Sequence, residues 1–158
     1  MRYAYPVRVL RDEDGMYCAT ARDVPEALTE GGGVMACLQA MSEALGAALA
    51  GYSLDGRPLP APSPLKTNEH LVPVAPLVAA KLALRSAMRA QGVSNVSLAA
   101  NLGISEGAVR RLVNPDYASR LDGVLAALAA LGQSLIIEDQ IQTPPDGRRG
   151  AAQRVVKR

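Results

Sequence analysis

The sequence is poor in aromatic residues and in residues that bind metals. Among its 158 residues are five tyrosines, no phenylalanine and no tryptophan. A core must therefore be built from leucine, valine and alanine, and aromatic platforms that stack single-stranded bases are not expected. Two cysteines and one histidine are too few and too scattered for a zinc site or a disulfide framework. We expect no metal and no other cofactor, with Cys18 and Cys37 as small core residues.

From the sequence we expect neither a membrane-spanning apolar run nor an export signal. No apolar run reaches the length of a membrane span, and the first residues, MRYAYPVRVLRDED, lack the apolar core of a signal peptide. A hydrophobic share of 49% with 20% charged residues is typical of a soluble globular protein. The length allows one medium domain or two small ones. We expect a cytoplasmic protein that has no membrane partner.

Groups suited to catalysis are few. Residues 12–14 and Asp23 supply an acidic cluster, but they fall in predicted turns rather than on strands, where two-metal nuclease chemistry would need them. His70 stands alone, and no basic residue is near Cys18 in the sequence to favour its thiolate. The pattern predicts no catalytic residue and a protein that is not an enzyme.

The first third of the chain predicts three strands and a helix. Tyr3, Tyr5, Val7 and Val9 alternate with other residues at the period of a half-buried strand. Pro6 fits an edge strand or a position that faces away from a neighbour. The predicted elements are strands over residues 3–10, 16–21 and 27–30, turns at residues 12–15 and 23–25, and a helix over residues 34–52 that follows three glycines.

A proline-containing connection follows, over residues 53–66, and a fourth strand can still pair within it. Residues 71–74 predict another short strand, and Pro76 suits the first turn of a helix that ends at Gly92. The apolar stripe of that helix is formed by Leu77, Ala80, Leu84 and Met88. We place a domain boundary near residue 74, which divides the chain into residues 1–73, residues 74–138 and a mobile basic tail over residues 139–158.

The most specific stretch is SNVSLAANLGISEGAVRRLV, residues 94–113. Ser94 and Ser105 have the chemistry of N-caps for two short helices, and Gly103 can take the positive φ of the corner between them. Ile104 is expected to plug the corner, with Val109 and Leu112 facing inward and an amphipathic helix over residues 119–131 completing the bundle. This spacing predicts a DNA-binding helix-turn-helix. The alternative is an ordinary helical hairpin with a solvated arginine face.

The second helix of this motif would present its polar side to the major groove of operator DNA. The residues that we predict to contact double-stranded DNA are Ser105, Glu106, Gly107, Arg110, Arg111, Asn114 and Arg120. A lone module of this kind is poorly selective, so we expect a homodimer or a higher homo-oligomer. The short β-like run over residues 135–137 can pair with its twin across a two-fold axis.

Charge divides the chain in two. Residues 1–73 carry six basic and nine acidic residues, a net charge of −3, whereas residues 74–158 carry eleven basic and six acidic residues, a net charge of +5. The acidic part favours a basic partner, and the basic part favours nucleic acid.

The order of elements, with the phrases VRVLRDEDGMYCATARDVPEALTEGG, GYSLDGRPLPAPSP and NPDYASRLD, resembles the HicB family of type II antitoxins over residues 1–138. The resemblance implies an α+β fold: an N-terminal βββα(β) domain, a degenerate ribonuclease-H-like unit, followed by an all-α helix-turn-helix domain. It also implies that residues 1–73 bind and block a HicA-type toxin that cleaves mRNA, and that residues 74–138 repress the protein's own operon.

Two features depart from the family pattern. Three glycines stand before the first long helix, where many members have a side chain that can cap it, and the aspartate-rich interior of an active ribonuclease H is not recognisable. The second departure argues against nuclease activity. A repressor that responds to a small molecule, with the N-terminal unit as its sensor, stays open as an alternative.

Overall fold

The structure is a computed structural model that describes residues 1–139, and in this range it combines one antiparallel sheet with five helices. The mixed α and β composition expected from the sequence is confirmed. Residues 140–158, most of the predicted basic tail, lie outside the described residues. The elements are β1 (Ala4–Arg11), β2 (Tyr17–Ala21), β3 (Val24–Gly31), α1 (Val34–Leu54), β4 (Glu69–Pro73), α2 (Pro76–Gln91), α3 (Asn95–Leu102), α4 (Glu106–Val113) and α5 (Leu121–Ala130).

The sheet has the strand order β3-β2-β1-β4, and one of its faces is covered by α1. Tyr5 and Val7 are fully buried, as their alternation predicts, and Tyr5 Oη donates a hydrogen bond to the carbonyl of Pro60 at 2.9 Å. Across the strands, Val7 is opposite Ala21 and Val9 is opposite Ala19. The inner face therefore holds small and β-branched side chains that let the helix approach closely.

Pro6 does not lie on an edge strand, because β1 has β2 on one side and β4 on the other. Its carbonyl accepts a hydrogen bond from the amide of Arg22 at 3.4 Å, one residue beyond the end of β2. The amide and carbonyl of one strand residue point to the same side. The missing N–H of Pro6 therefore faces the turn after β2 and removes no bond from the ladder.

Two expected boundaries in this part of the chain are wrong, and one strand that the sequence allowed does not form. The third strand begins at Val24, which is fully buried, so the turn before it consists of Arg22 and Asp23 rather than residues 23–25. No strand forms in residues 53–66, where prolines at every second position from 58 to 64 remove the donors from one side of the chain. The last strand begins at Glu69, two residues before the expected start.

Helix α1 is 21 residues long and has one charged residue, Glu43. By length and composition it is apolar enough to cross a membrane, so the expectation that no run reaches this length is wrong. In the fold, however, Met41, Leu45 and Leu49 are fully buried against the sheet. Gly33 is the N-cap residue and supplies no side-chain cap, as the three glycines predict.

Helix α2 is buried on two sides. The expected stripe is confirmed, since Ala80, Leu84 and Met88 are buried among α3, α4 and α5. A second buried side, which the sequence analysis did not recognise, places Ala79 and Leu82 in the core beneath the sheet. One helix therefore takes part in both hydrophobic cores of the described residues.

Two arginines of α2 also hold the end of α1. Arg85 donates to Ser53 Oγ at 2.8 Å, and Arg89 donates to the Ser53 carbonyl at 3.0 Å and to the Arg57 carbonyl at 3.2 Å. The last turn of α1 has no basic residue of its own. The guanidinium groups of α2 thus supply the positive charge that a helix C-terminus favours.

The end of the described chain differs from expectation. Helix α5 begins at Leu121, two residues later than predicted, and residues 135–137 form no strand. Leu135 packs partly against the second core, whereas Ile136 is 92% exposed. The single chain gives this short run no partner strand within residues 1–139.

Candidate nucleic-acid interface

The corner between α3 and α4 is built as the sequence predicts. Ser94 Oγ accepts a hydrogen bond from the amide of Ser97 at 3.1 Å, and Ser105 Oγ accepts one from the amide of Ala108 at 3.2 Å. Gly103 has a φ of +66°, in the left-handed region where a Cβ would be strained. Both predicted N-caps and the predicted corner glycine are confirmed.

Packing behind the corner is also mostly as expected. Leu98 and Val109 are fully buried, and Leu112 packs partly buried against the same core. Ile104 does not plug the corner, since 39% of its surface is exposed. It lines a groove between α4 and α5 instead.

The outward side of α4 carries the predicted set. Arg110 and Arg111 are exposed, and Ser105 and Gly107 lie exposed at the start of the helix. Arg110 forms an ion pair with Glu106, one turn earlier, with 2.8 Å between Nη2 and Oε1. A Cβ added at Gly107 would meet no atom within 4 Å, so the backbone is open to close approach from outside.

Asn114 and Arg120, the remaining predicted residues, lie on the segment between α4 and α5. Asn114 Oδ1 accepts a hydrogen bond from the amide of Asp116 at 3.0 Å. Arg120 pairs with Asp122 through three contacts, from Nε to Oδ1 at 3.2 Å and to Oδ2 at 3.3 Å, and from Nη2 to Oδ2 at 3.1 Å. This hydrogen bonding lowers the pKa of Asp122 and raises that of Arg120. Two of the three predicted arginines, Arg110 and Arg120, are thus already paired with carboxylates, and Arg111 and Arg120 line the same groove between α4 and α5.

Lys81 of α2, which the sequence analysis overlooked, fixes this segment from below. Its side chain is fully buried, and its ammonium donates to the carbonyls of Arg111 at 3.2 Å and Asn114 at 2.7 Å, and to Ser119 Oγ at 2.9 Å. A fourth hydrogen bond reaches the carbonyl of Tyr117. Three N–H groups are therefore shared among four oxygens at the end of α4 and in the loop after it.

A signal for Lys81 is present in the sequence. It follows Leu77 by four residues and precedes Leu84 by three, so it stands on the apolar stripe of α2. A lysine on the apolar stripe of a helix is expected to be buried, and a buried ammonium must donate hydrogen bonds to acceptor oxygens. Burial lowers the pKa of this ammonium, and the carboxylate of Asp116 acts in the opposite direction.

Two cavities lie on the described surface. The groove between α4 and α5 has a volume of about 550 Å³ and is lined by apolar side chains, among them Leu112 and Tyr117, together with Arg111 and Arg120. A second cavity of about 510 Å³ lies on the sheet side and is lined by Arg8, among other polar residues. Over residues 1–139 there is no group of three or more His, Cys, Asp or Glu side chains that could hold a metal ion.

Comparison with known proteins gives the class of this protein, which is an antitoxin of bacterial toxin–antitoxin systems. The family model that matches residues 4–83 is described as the HicB-like antitoxin of such systems. The chain is 34% identical over 131 residues to Antitoxin HicB of Escherichia coli (strain K12), covering 83% of this chain and 95% of that protein. It is 35% identical over 131 residues to Antitoxin HicB 2 of Photorhabdus laumondii, covering 83% and 92%. The chain therefore belongs to the HicB family, and the resemblance seen in the sequence is confirmed.

We predict that Lys81→Met destabilises the protein, because it leaves buried carbonyls of α4 and the following loop without their donor. The expected loss in the free energy of unfolding is roughly 1–3 kcal/mol or more. Thermal and urea unfolding measure it, with Lys66→Met as the control that removes an equal charge from an exposed lysine. Equal stability of the two variants would show that the Lys81 cluster does not hold the loop.

Proposed function

We propose that this chain neutralises a HicA-type toxin that cleaves mRNA and represses its own operon by binding operator DNA. Family membership supports the antitoxin role. The observation that carries the DNA role is the outward side of α4, where two exposed arginines follow a serine-capped helix start that no described side chain covers. Under this proposal α3 and α4 form a helix-turn-helix, and the protein acts in the cytoplasm by binding rather than by catalysis.

The recognition step follows from the geometry of α4. Arg111 has no side-chain partner within the described residues, so it is ready to contact a base edge or a phosphate. For Arg110 to contact DNA, its ion pair with Glu106 must break. The cost is small, because an exposed ion pair contributes only about 0–1 kcal/mol to stability. Ser105 and the open backbone at Gly107 would approach the phosphate chain, where helix N-termini favour anions.

The loop held by Lys81 extends this surface. Asn114 and Arg120 lie beyond the end of α4, where phosphates flanking the major groove would pass. Arg120 is 89% exposed in its side chain, so its pairing with Asp122 can be exchanged for a phosphate. The rigid loop would place both side chains in register with α4.

We predict that Arg110→Ala and Arg111→Ala each weaken operator binding by about 1–3 kcal/mol where the side chain makes a bidentate base contact. Gel-shift titration on the promoter of the chain's own operon measures this loss. Arg11→Ala is the matched control, since it removes the same charge from the sheet side. If both α4 variants bind as tightly as the wild type, α4 is not the recognition helix.

For the toxin, the proposal assigns the N-terminal part, a degenerate ribonuclease-H-like unit with a net charge of −3 over residues 1–73. Its acids serve structure rather than chemistry at two places. The Asp12 carboxylate accepts the amide of Met16 at 2.8 Å within the β1–β2 turn, and Asp23 accepts the amide and hydroxyl of Ser63 at 2.8 and 2.6 Å. An acidic binding unit attracts a toxin that must itself be basic to hold RNA.

Co-expression with the HicA-type toxin encoded beside this chain tests the toxin role. We predict that Arg110→Ala/Arg111→Ala, in the full chain, still protects cells from growth arrest and co-purifies with the toxin, because the N-terminal part is unchanged. Failure of the wild type to bind or protect would overturn the antitoxin proposal.

A small-molecule sensor is the second candidate. The cavity on the sheet side favours it, because Arg8, Arg22 and Lys66 outnumber the one lining carboxylate, Glu69, which pairs with Arg22 at 3.2 Å. Recovery of a bound anionic metabolite instead of a toxin from purified protein would support this reading.

The proposal includes a homodimer, since paired modules read half-sites one helical turn apart. Ile136 is 92% exposed, next to Leu135 and beyond α5. We predict that Ile136→Lys gives a monomer in sedimentation and loses operator binding, because an apolar contact between copies is replaced by two facing charges. Leu65→Lys, at another exposed aliphatic residue, serves as the control. An unchanged oligomer would move the interface elsewhere, for example to α5.

A further inference from the structure

The face of the sheet opposite α1 has leucines at positions that point to solvent. Leu10 on β1 is 53% exposed and Leu28 on β3 is 59% exposed. The open face of an antiparallel sheet is normally polar. Cys18 on β2 lies between them, since it pairs directly with Leu10, and Leu28 pairs with the next outward residue, Thr20. Directly paired and diagonal neighbours of this kind are about 5–8 Å apart, so the three side chains form one apolar band.

Carboxylates surround one end of this band. Glu30 pairs directly with Cys18, and residues 12–14, an Asp-Glu-Asp run, follow Leu10 at the β1–β2 turn. These four acids are accompanied by Arg11, which leaves a net charge of −3. Arg11 is itself bound to the turn, with Nε donating to the Gly15 carbonyl at 3.2 Å. We call Leu10, Cys18, Leu28, Glu30 and residues 12–14 the acidic sheet surface.

The acids act on the same patch as the apolar band. Burial raises the pKa of the Cys18 thiol, and the negative charges of Glu30 and Asp12 add to this effect. The other end of the face is different, because Arg8 and Lys66 line the basic cavity there. The acidic sheet surface is therefore a bounded feature rather than a general property of the sheet.

Its charge selects the kind of partner. Nucleic acid and an anionic membrane would be repelled, and a second copy placed face to face would bring two net charges of −3 together. The unpaired edge of β3 is a poor template for strand addition, because it carries Pro25 with Glu26 and Glu30. A basic protein surface with apolar groups is the occupant that both the band and its acids fit.

We propose that the acidic sheet surface is the docking site for the toxin, and that its carboxylates meet the cations with which the toxin binds RNA phosphates. This inference rests on the antitoxin function proposed above. An enzyme that cleaves RNA needs cations to hold the phosphate chain. Carboxylates that bind those cations would hold the toxin, and Leu10 and Leu28 would make apolar contacts beside them. The same contacts would exclude RNA, because the cations would no longer be free to bind phosphate.

Binding measurements on the full chain test the proposal, with the co-expressed toxin carrying an inactivating substitution as the probe. Leu10→Arg and Leu28→Arg should each weaken toxin binding at least about tenfold, as expected for central apolar contacts facing a basic surface. Leu54→Arg is the matched control, because this leucine is similarly exposed at the end of α1 and should leave affinity within about twofold. Glu30→Lys should slow association and reduce its dependence on salt.

A non-cleavable RNA oligonucleotide supplies a second measurement, since it should compete with the antitoxin for the toxin. Unchanged affinity in Leu10→Arg, Leu28→Arg and Glu30→Lys, with the wild type still binding the toxin, would overturn this docking site and leave the antitoxin function standing. RNA that binds the toxin without displacing the antitoxin would overturn the placement of carboxylates on the RNA-binding cations. Absence of toxin binding by the wild type would instead remove the proposed function itself.

Discussion

The burial of α2 on two sides is the constraint on which the rest of the structure depends. Leu82 closes the core beneath the sheet, and Leu84, two residues later, closes the core of the helical bundle. Two sides of one helix, within a single turn, thus contribute to both cores. Arg85 adds to this tie by holding Ser53 at the end of α1. Leu82 therefore belongs to the sheet core although it lies beyond residue 74, the predicted domain boundary.

Lys81 carries this constraint from α2 to the candidate DNA surface. Short helices such as α4, with eight residues, are marginal by themselves and take their position from packing. The ammonium of Lys81 binds the Arg111 carbonyl at the end of α4 and the Asn114 carbonyl just beyond it. An alkyl side chain in its place would fill the space but leave these oxygens unpaired. The polar contact therefore fixes a loop that apolar packing alone would not fix.

Features that depend on residues close together in the sequence could be predicted, whereas features that depend on contacts between distant residues could not. Ser94, Gly103 and Ser105 act within a few residues of their own positions, so the α3–α4 corner could be read from the sequence. The position of Pro6 in a central strand could not be predicted, because it depends on where β2 ends relative to β1. Lys81 was missed for a similar reason: its acceptors are 30 or more residues away, although its position on an apolar stripe was visible.

Under the proposed function, the separation of charge lets one small chain bind two partners of opposite charge. The exposed arginines of α4 belong to the helical bundle, whereas the acidic sheet surface belongs to the sheet, and the two parts have separate cores. In the proposal, DNA therefore meets positive charge and the basic toxin meets negative charge. Had the carboxylates lain beside Arg111, they would have repelled DNA phosphates and been neutralised by the arginines. The shared helix then connects the two surfaces physically. Leu82 in the sheet core and Lys81, which binds the loop after α4, are neighbouring residues of that helix.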